Sequence, residues 1–195
     1  MLMQIFNRLS TAILICLLVI SGGAGLGTAQ ANTLKHERES IHANIVFMRH
    51  ALAPGFGDPA RFDITDCNSQ RNLDAAGRRQ ARQAGAALAR SGIEIYQILS
   101  SRWCRCTETA ALLELGAFTT FDGLNSFFQN HAPRDAALAK LRQKLDSLSP
   151  SAPASLMVTH SVTIRTITGL SVASGGVVIY DLKTGTAREL SLSSL

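Results

Sequence analysis

One stretch constrains this chain more than any other: Ile45-Val46-Phe47-Met48, followed at once by Arg49 and His50. Four apolar residues in a row, two of them β-branched, read as a short strand buried on both faces, as at the centre of a parallel sheet. In open α/β sheets ligands bind just beyond the carboxyl ends of the strands, so Arg49 and His50 fall where a site is built. The arrangement returns late in the chain as Leu156-Met157-Val158-Thr159-His160.

The pattern between and beyond these strands is one of alternation. Asp74 is a good N-cap for a helix over Ala75 to Arg90, whose residues Gly77, Ala81, Ala84, Gly85 and Leu88 share a small-residue face suited to close packing on a sheet. A strand is expected over Ile93 to Leu99, a helix over Trp103 to Leu115 and a short strand over Phe118 to Phe121. A helix over Arg134 to Leu148 carries Leu138, Leu141, Leu145 and Leu148 on one stripe. A short helix over Val162 to Leu170 and strands at Val177 to Tyr180 and Ala187 to Leu192 complete the pattern, with Lys183-Thr184-Gly185 as a turn. Strands alternating with helices predict a three-layer α/β/α sandwich with a mostly parallel central sheet. The connection Ala51 to Leu73 is long and rich in Pro, Gly and Asp; coming straight after His50, it is expected to wall the site.

The first 31 residues read as a cleaved signal peptide. Arg8 supplies the positive start, Ala12 to Ile20 the apolar run, and Ala29-Gln30-Ala31 a small-x-small cleavage site. The apolar run is short of the roughly 20 residues of a membrane span. Cleavage after Ala31 predicts an exported chain, periplasmic or secreted, with one domain over residues 32–195 and contact with a membrane only before cleavage. Losing Arg8 takes the formal net charge from +5 to one unit less. Without a Lys/Arg run or interleaved aromatics, this basic excess points to a small anion and not to nucleic acid.

Histidine accepts a phosphoryl group when its ring is neutral and a hydrogen bond fixes one nitrogen. Phosphoryl transfer then depends on positioning and on stabilising charge over three oxygens, for which the arginine fork is well shaped. Arg49, His50, Arg105 and His160 would supply these parts. Arg105 sits in Ser101-Arg102-Trp103-Cys104-Arg105-Cys106-Thr107-Glu108-Thr109-Ala110, at a strand-to-helix junction where first-turn N–H groups favour an anion. Thr109 lies one turn on, and Arg71 is a candidate for the pocket wall.

These motifs resemble the histidine phosphatase superfamily, the group of phosphoglycerate mutases and acid phosphatases. Met48-Arg49-His50 matches its opening motif, and Ser101, Arg105, Thr109 and Ala110 its internal one. Leu73-Asp74-Ala75-Ala76-Gly77-Arg78-Arg79-Gln80-Ala81 matches its L-[ST]-x-x-G-x-x-Q-A helix start, and Thr159-His160 its late histidine. The resemblance spans about Asn44 to Leu192 and implies a phosphoglycerate mutase-like fold. It implies that His50 is phosphorylated while Arg49, Arg105 and His160 bind the phosphate; the mechanism read here requires no metal and no cofactor. The chain departs from the family in having Ala51 where glycine usually follows the first histidine. The family's proton-donating acid tends to follow the third strand, and Asp122 is the carboxylate nearest that place; Asp58, Asp63 and Asp66 in the long loop are the alternatives.

The resulting expectation is an exported phosphatase that hydrolyses a phosphomonoester or phosphoamidate on a small phosphorylated substrate, a glycolipid or a protein. The alternative, kept open by Ala51 and the acid, is a catalytically inactive phosphate-binding or regulatory protein on the same scaffold. Cys104 and Cys106 are too closely spaced on a helix to share a metal, since their thiols point apart. In an oxidising compartment Cys67 is expected to pair with one of them.

Overall fold

A computed structural model of the protein describes residues 44–91, 93–190 and 192. The expected signal peptide and the lead-in to Ala43 lie outside the described residues. Among these described residues six strands form one sheet: β1 (Ile45–Arg49), β2 (Ile95–Ser100), β3 (Thr119–Thr120), β4 (Ala154–Thr159), β5 (Val177–Tyr180) and β6 (Ala187–Leu190), in the spatial order β3-β2-β4-β1-β5-β6. The first four are mutually parallel, while β5 and β6 run antiparallel to β1 and to each other. A tight turn joins β5 to β6. Gly185 takes a φ of 72° there, and the Asp181 side chain accepts the backbone N–H groups of Lys183 and Thr184.

Among the described residues four α-helices cover the sheet: α1 (Ala75–Arg90), α2 (Cys104–Leu112), α3 (Arg134–Asp146) and α4 (Ser161–Thr168). Side chains alternate across the strands, so β1 sends Val46 and Met48 to one face and Ile45 and Phe47 to the other. The first pair packs with Ala84 and Leu88 of α1 and Cys106 and Ala110 of α2; the second packs with Leu141 and Leu145 of α3 and Ile164 of α4. This is the expected three-layer sandwich. Burying a side chain such as Phe47 contributes roughly 1.5–3 kcal/mol.

The differences from the sequence expectation are at element ends. β3 is two residues rather than four, because both of its threonines are exposed and only one neighbour holds it. α2 begins at Cys104, after Trp103 in extended conformation, and ends at Leu112. α1 matches end to end: Asp74 caps it by accepting the Gly77 N–H at 2.7 Å, and the small-residue face is buried. Gly77 is required for a further reason, since a Cβ there would collide with the Leu52 carbonyl. The helix thereby holds the start of the loop that leaves the sheet after His50.

Candidate active site

Register brings the two histidines together. β1 and β4 are adjacent and parallel, with Arg49 opposite Thr159, so the next residues, His50 and His160, leave the sheet side by side. Their ring centroids are 5.4 Å apart. β2 lies on the other side of β4, and its end delivers Ser101, whose N–H is bound to the Val158 carbonyl. Three neighbouring strand ends thus supply His50, His160 and Ser101, and α2 follows directly with Arg105 in its first turn.

The tautomer of His50 follows from its partners. A backbone carbonyl only accepts, so Nδ1, 2.8 Å from the Ala51 carbonyl, carries the proton and donates it. Nε2 is left with its lone pair, which accepts from Arg105 Nε at 3.2 Å. Burial, with help from the Arg105 charge, lowers the His50 pKa to about 3, so the ring is neutral across physiological pH. Ala51 creates no backbone penalty. Among the described residues, positive φ outside glycine occurs only at Glu114, Gln129 and Asn130. The Ala51 methyl packs with Ala53, Leu73 and Ala81, and its N–H donates to Thr109 Oγ1 at 3.0 Å. The same hydroxyl donates to the Arg105 carbonyl at 2.6 Å, tying the residue after His50 to the helix that carries Arg105.

His160 is held in the opposite tautomer. Arg105 Nη2 donates toward its Nδ1 at 3.5 Å, so Nε2 bears the proton and donates to Ser101 Oγ at 3.0 Å. Ser101 Oγ in turn donates to Asn125 Oδ1 at 3.2 Å. Burial is the main cause that sets the His160 pKa well below its ordinary value.

Arg49 donates from Nη1 to the Val172 carbonyl at 2.9 Å, and its Nε is buried without a hydrogen-bond partner. A buried guanidinium donor without a partner is costly, and it suits a site made for an anion. Arg105 is 3% exposed, and its Nη groups form a fork on Asp58, with Nη1 to Oδ1 at 2.7 Å and Nη2 to Oδ2 at 3.1 Å. The Asp58 side chain is itself only 4% exposed. Burial alone would raise its pKa, but its hydrogen bonds and charge interaction with Arg105 outweigh that and hold it below the ordinary value.

The expected wall is in place. Arg71 donates from Nε to the Gly57 carbonyl at 2.8 Å and from Nη1 to that of Ala53, gathering the loop around itself. Cys67 is disulfide-bonded to Cys104, which settles the choice left open by the sequence; Cys106 is a buried thiol. Gln70 adds a second tie, accepting the Cys104 N–H at 2.9 Å. Gln80 of α1 bridges the two loops that border the histidines, accepting the Leu52 N–H and donating to the Ser174 carbonyl, both at 2.8 Å.

Asp122, the expected proton donor, stands apart from this cluster. Its side chain is 45% exposed at the rim, where it pairs with Lys140 at 3.1 Å and accepts from Asn125 Nδ2 at 3.4 Å. It reaches His160 only through Asn125 and Ser101. The loop acids have other duties: Asp63 accepts from Thr65, and Asp66 from the Asn68 N–H at 2.9 Å. Two residues of the site escape a reading of the sequence. Asp58 is there only one of three loop acids, and Trp103, fully buried in the structure, only a helix start. Trp103 donates from Nε1 to Asp58 Oδ2 at 3.0 Å and meets His160 edge-on. As the chain's one tryptophan, beside Arg105, it is the available signal.

Residues 45–127 match the family model described as histidine phosphatase superfamily (branch 1). No curated protein sequence matches the chain significantly. Among solved structures, the protein is similar to the protein histidine phosphatase SixA complexed with tungstate, at 16% identity and TM-score 0.51, covering 75% of this chain and 94% of that one. It is similar to phosphoglycerate mutase from Thermus thermophilus, at 17% identity and TM-score 0.53, covering 75% and 98%. It is also similar to mycobacterial glucosyl-3-phosphoglycerate phosphatase, at 14% identity and TM-score 0.51, covering 75% and 96%. At these identities the structural likeness concerns the fold.

Proposed function

On the premise that the chain carries a histidine phosphatase superfamily domain, matched over residues 45–127, we propose that it is a phosphatase working through a phosphohistidine on His50. The superfamily match and the phosphatases of like fold support a phosphatase enzyme. The observation that carries the mechanism is the state of His50: a neutral ring, its Nδ1–H fixed on the Ala51 carbonyl, and an unprotonated Nε2 that faces Arg105.

In the first step His50 Nε2 attacks phosphorus, the bond from phosphorus to the leaving oxygen or nitrogen breaks, and that atom takes a proton. Arg49 and Arg105 hold the phosphoryl oxygens, with guanidinium charge offsetting charge on phosphate, and His160 joins them by turning its Nε2–H from Ser101 Oγ to a phosphoryl oxygen. Water then attacks phosphorus, the N–P bond breaks, and inorganic phosphate leaves with His50 restored. Asp122 is the proposed proton donor. The substrate is a phosphomonoester or phosphoamidate on a small molecule, glycolipid or protein. The enzyme is exported, with a mature chain beginning at Asn32; an intact full-length chain in the membrane fraction, read by mass spectrometry, would refute export.

The test is turnover of nitrophenyl phosphate by pure protein with a chelator present. His50→Ala should abolish turnover and also the acid-labile phosphoenzyme of the wild type. Arg49→Ala, Arg105→Ala and His160→Ala should each cost about 100-fold or more. Wild-type protein that binds phosphate without turnover would establish instead an inactive binding protein on this scaffold.

A further inference from the structure

We propose that Asp58 sets the affinity of the phosphate site: its carboxylate occupies the Arg105 fork, and an incoming phosphoryl dianion displaces it. The inference rests on the phosphate-site reading above and adds the exchange that admits a substrate.

The five N–H donors of Arg105 all have partners within the protein. Nε bonds to His50 Nε2; Nη1 bonds to Asp58 Oδ1 and, at 3.3 Å, the Arg71 carbonyl; Nη2 bonds to Asp58 Oδ2 and His160 Nδ1. A phosphate contact from Arg105 therefore requires an existing partner to leave. Asp58 is the partner that phosphate imitates, because both present a pair of oxygens to the planar fork. Asp58 can leave without being stranded: Oδ1 accepts the Arg71 N–H at 3.1 Å and Oδ2 accepts Trp103 Nε1. The exchange also concerns the nucleophile. Arg105 Nε sits on the His50 Nε2 lone pair, so attack requires the guanidinium to shift, and releasing Asp58 removes what anchors it.

Charge makes this exchange selective. After burial, the charge of Arg105 is the next influence lowering the pKa of Arg49, of Arg71 and of His50, so the three guanidiniums share one neighbourhood. Asp58 is the carboxylate set among them. Three guanidiniums and one carboxylate leave two positive charges uncompensated, which a phosphomonoester dianion matches and a singly charged phosphodiester does not. A ligand must therefore carry more charge than the carboxylate it replaces. The substrate class is the dianionic terminal phosphoryl group.

The experiment is calorimetric titration of the full chain with inorganic phosphate at pH 8, comparing wild type with Asp58→Asn. The amide keeps the shape but presents the fork with a donor in place of one oxygen. Asp58→Asn should bind phosphate about tenfold or more tightly, the range expected on losing a competing charged hydrogen bond. Asp58→Ser, which removes the carboxylate from the fork altogether, should shift phosphate affinity the same way and serves if Asp58→Asn does not fold. Unchanged or weaker phosphate binding by these variants would overturn the proposal and leave Asp58 as a structural brace for Arg105. The titration needs no turnover, so an inactive wild type would end the phosphatase reading while this comparison still decided the role of Asp58.

Discussion

Ser101 Oγ and His160 Nε2 stand 3.0 Å apart, and through Asn125 that contact leads outward to Asp122 at the half-exposed rim. The chain of side chains links His160 to the proposed acid, whose Oδ2 is engaged by Lys140. An acid placed at the rim matters only when the leaving group demands a proton.

Asp122→Asn should therefore lose much more activity on alkyl or sugar phosphates than on nitrophenyl phosphate. A positioned acid typically contributes about 100- to 10,000-fold when the leaving group is a poor one, and nitrophenolate departs without such help. Steady-state kinetics on the two substrate types measures the split. Equal losses on both would make Asp122 a rim brace for Asn125 and Lys140.

The neutral histidines make stability depend on pH in a defined direction. The His50 pKa falls from 6.5 to about 3 on folding. Between these values the unfolded chain binds more protons, so stability rises with pH. The contribution is complete above the unfolded value and is lost as pH falls toward 3. Going from pH 7 to pH 5 should cost roughly 2 kcal/mol through His50 alone, with His160 acting in the same direction. Urea unfolding at the two pH values checks this, and His50→Gln should flatten the slope. The same slope in both proteins would mean that His50 already titrates normally when folded.

The Cys67–Cys104 bond closes a loop with a sequence separation of 37 and fastens the wall beside Arg105. In the chain-entropy model such a closure contributes about 3–4 kcal/mol. Replacing both cysteines with serine should lower Tm by roughly 6–16 °C for a domain of this size. Turnover should fall as well, because the loop carries Asp58 and Arg71. Scanning calorimetry and nitrophenyl phosphate kinetics on the double variant decide it; unchanged Tm and unchanged turnover would show that the Gln70 tie suffices.

The fold is legible wherever one physical signal dominates. β1 announces itself as an apolar run stopped by charge, and α1 as a capped helix with one small-residue face. Arg49, His50, Arg105 and His160 are legible because each sits at a junction of elements, and strand register then fixes their meeting. Asp58 is not. Nothing local in Gly57-Asp58-Pro59 says which arginine it will face, since that depends on how Arg71 and the disulfide fold the long loop back over α2. The Cys67 partner is hidden for a related reason. Two cysteines separated by one residue on a helix look equivalent until the helix docks and one turns inward.

The cysteine that turns inward bears on how the chain keeps its covalent pattern. Cys106 lies two residues from a disulfide, the placement that invites a thiol to attack its neighbour and shuffle the bond. Thiol exchange proceeds through the thiolate. Burial, the largest influence on Cys106, pushes its pKa up to about 12, so almost none of it is ionised at neutral pH, and its Sγ rests 3.4 Å from His160 Nε2. Docking of α2 on the sheet therefore proofreads the pairing. Once docked, the helix leaves only Cys104 for Cys67 to join, and the sulfur able to undo that choice is shut away inert beside His160.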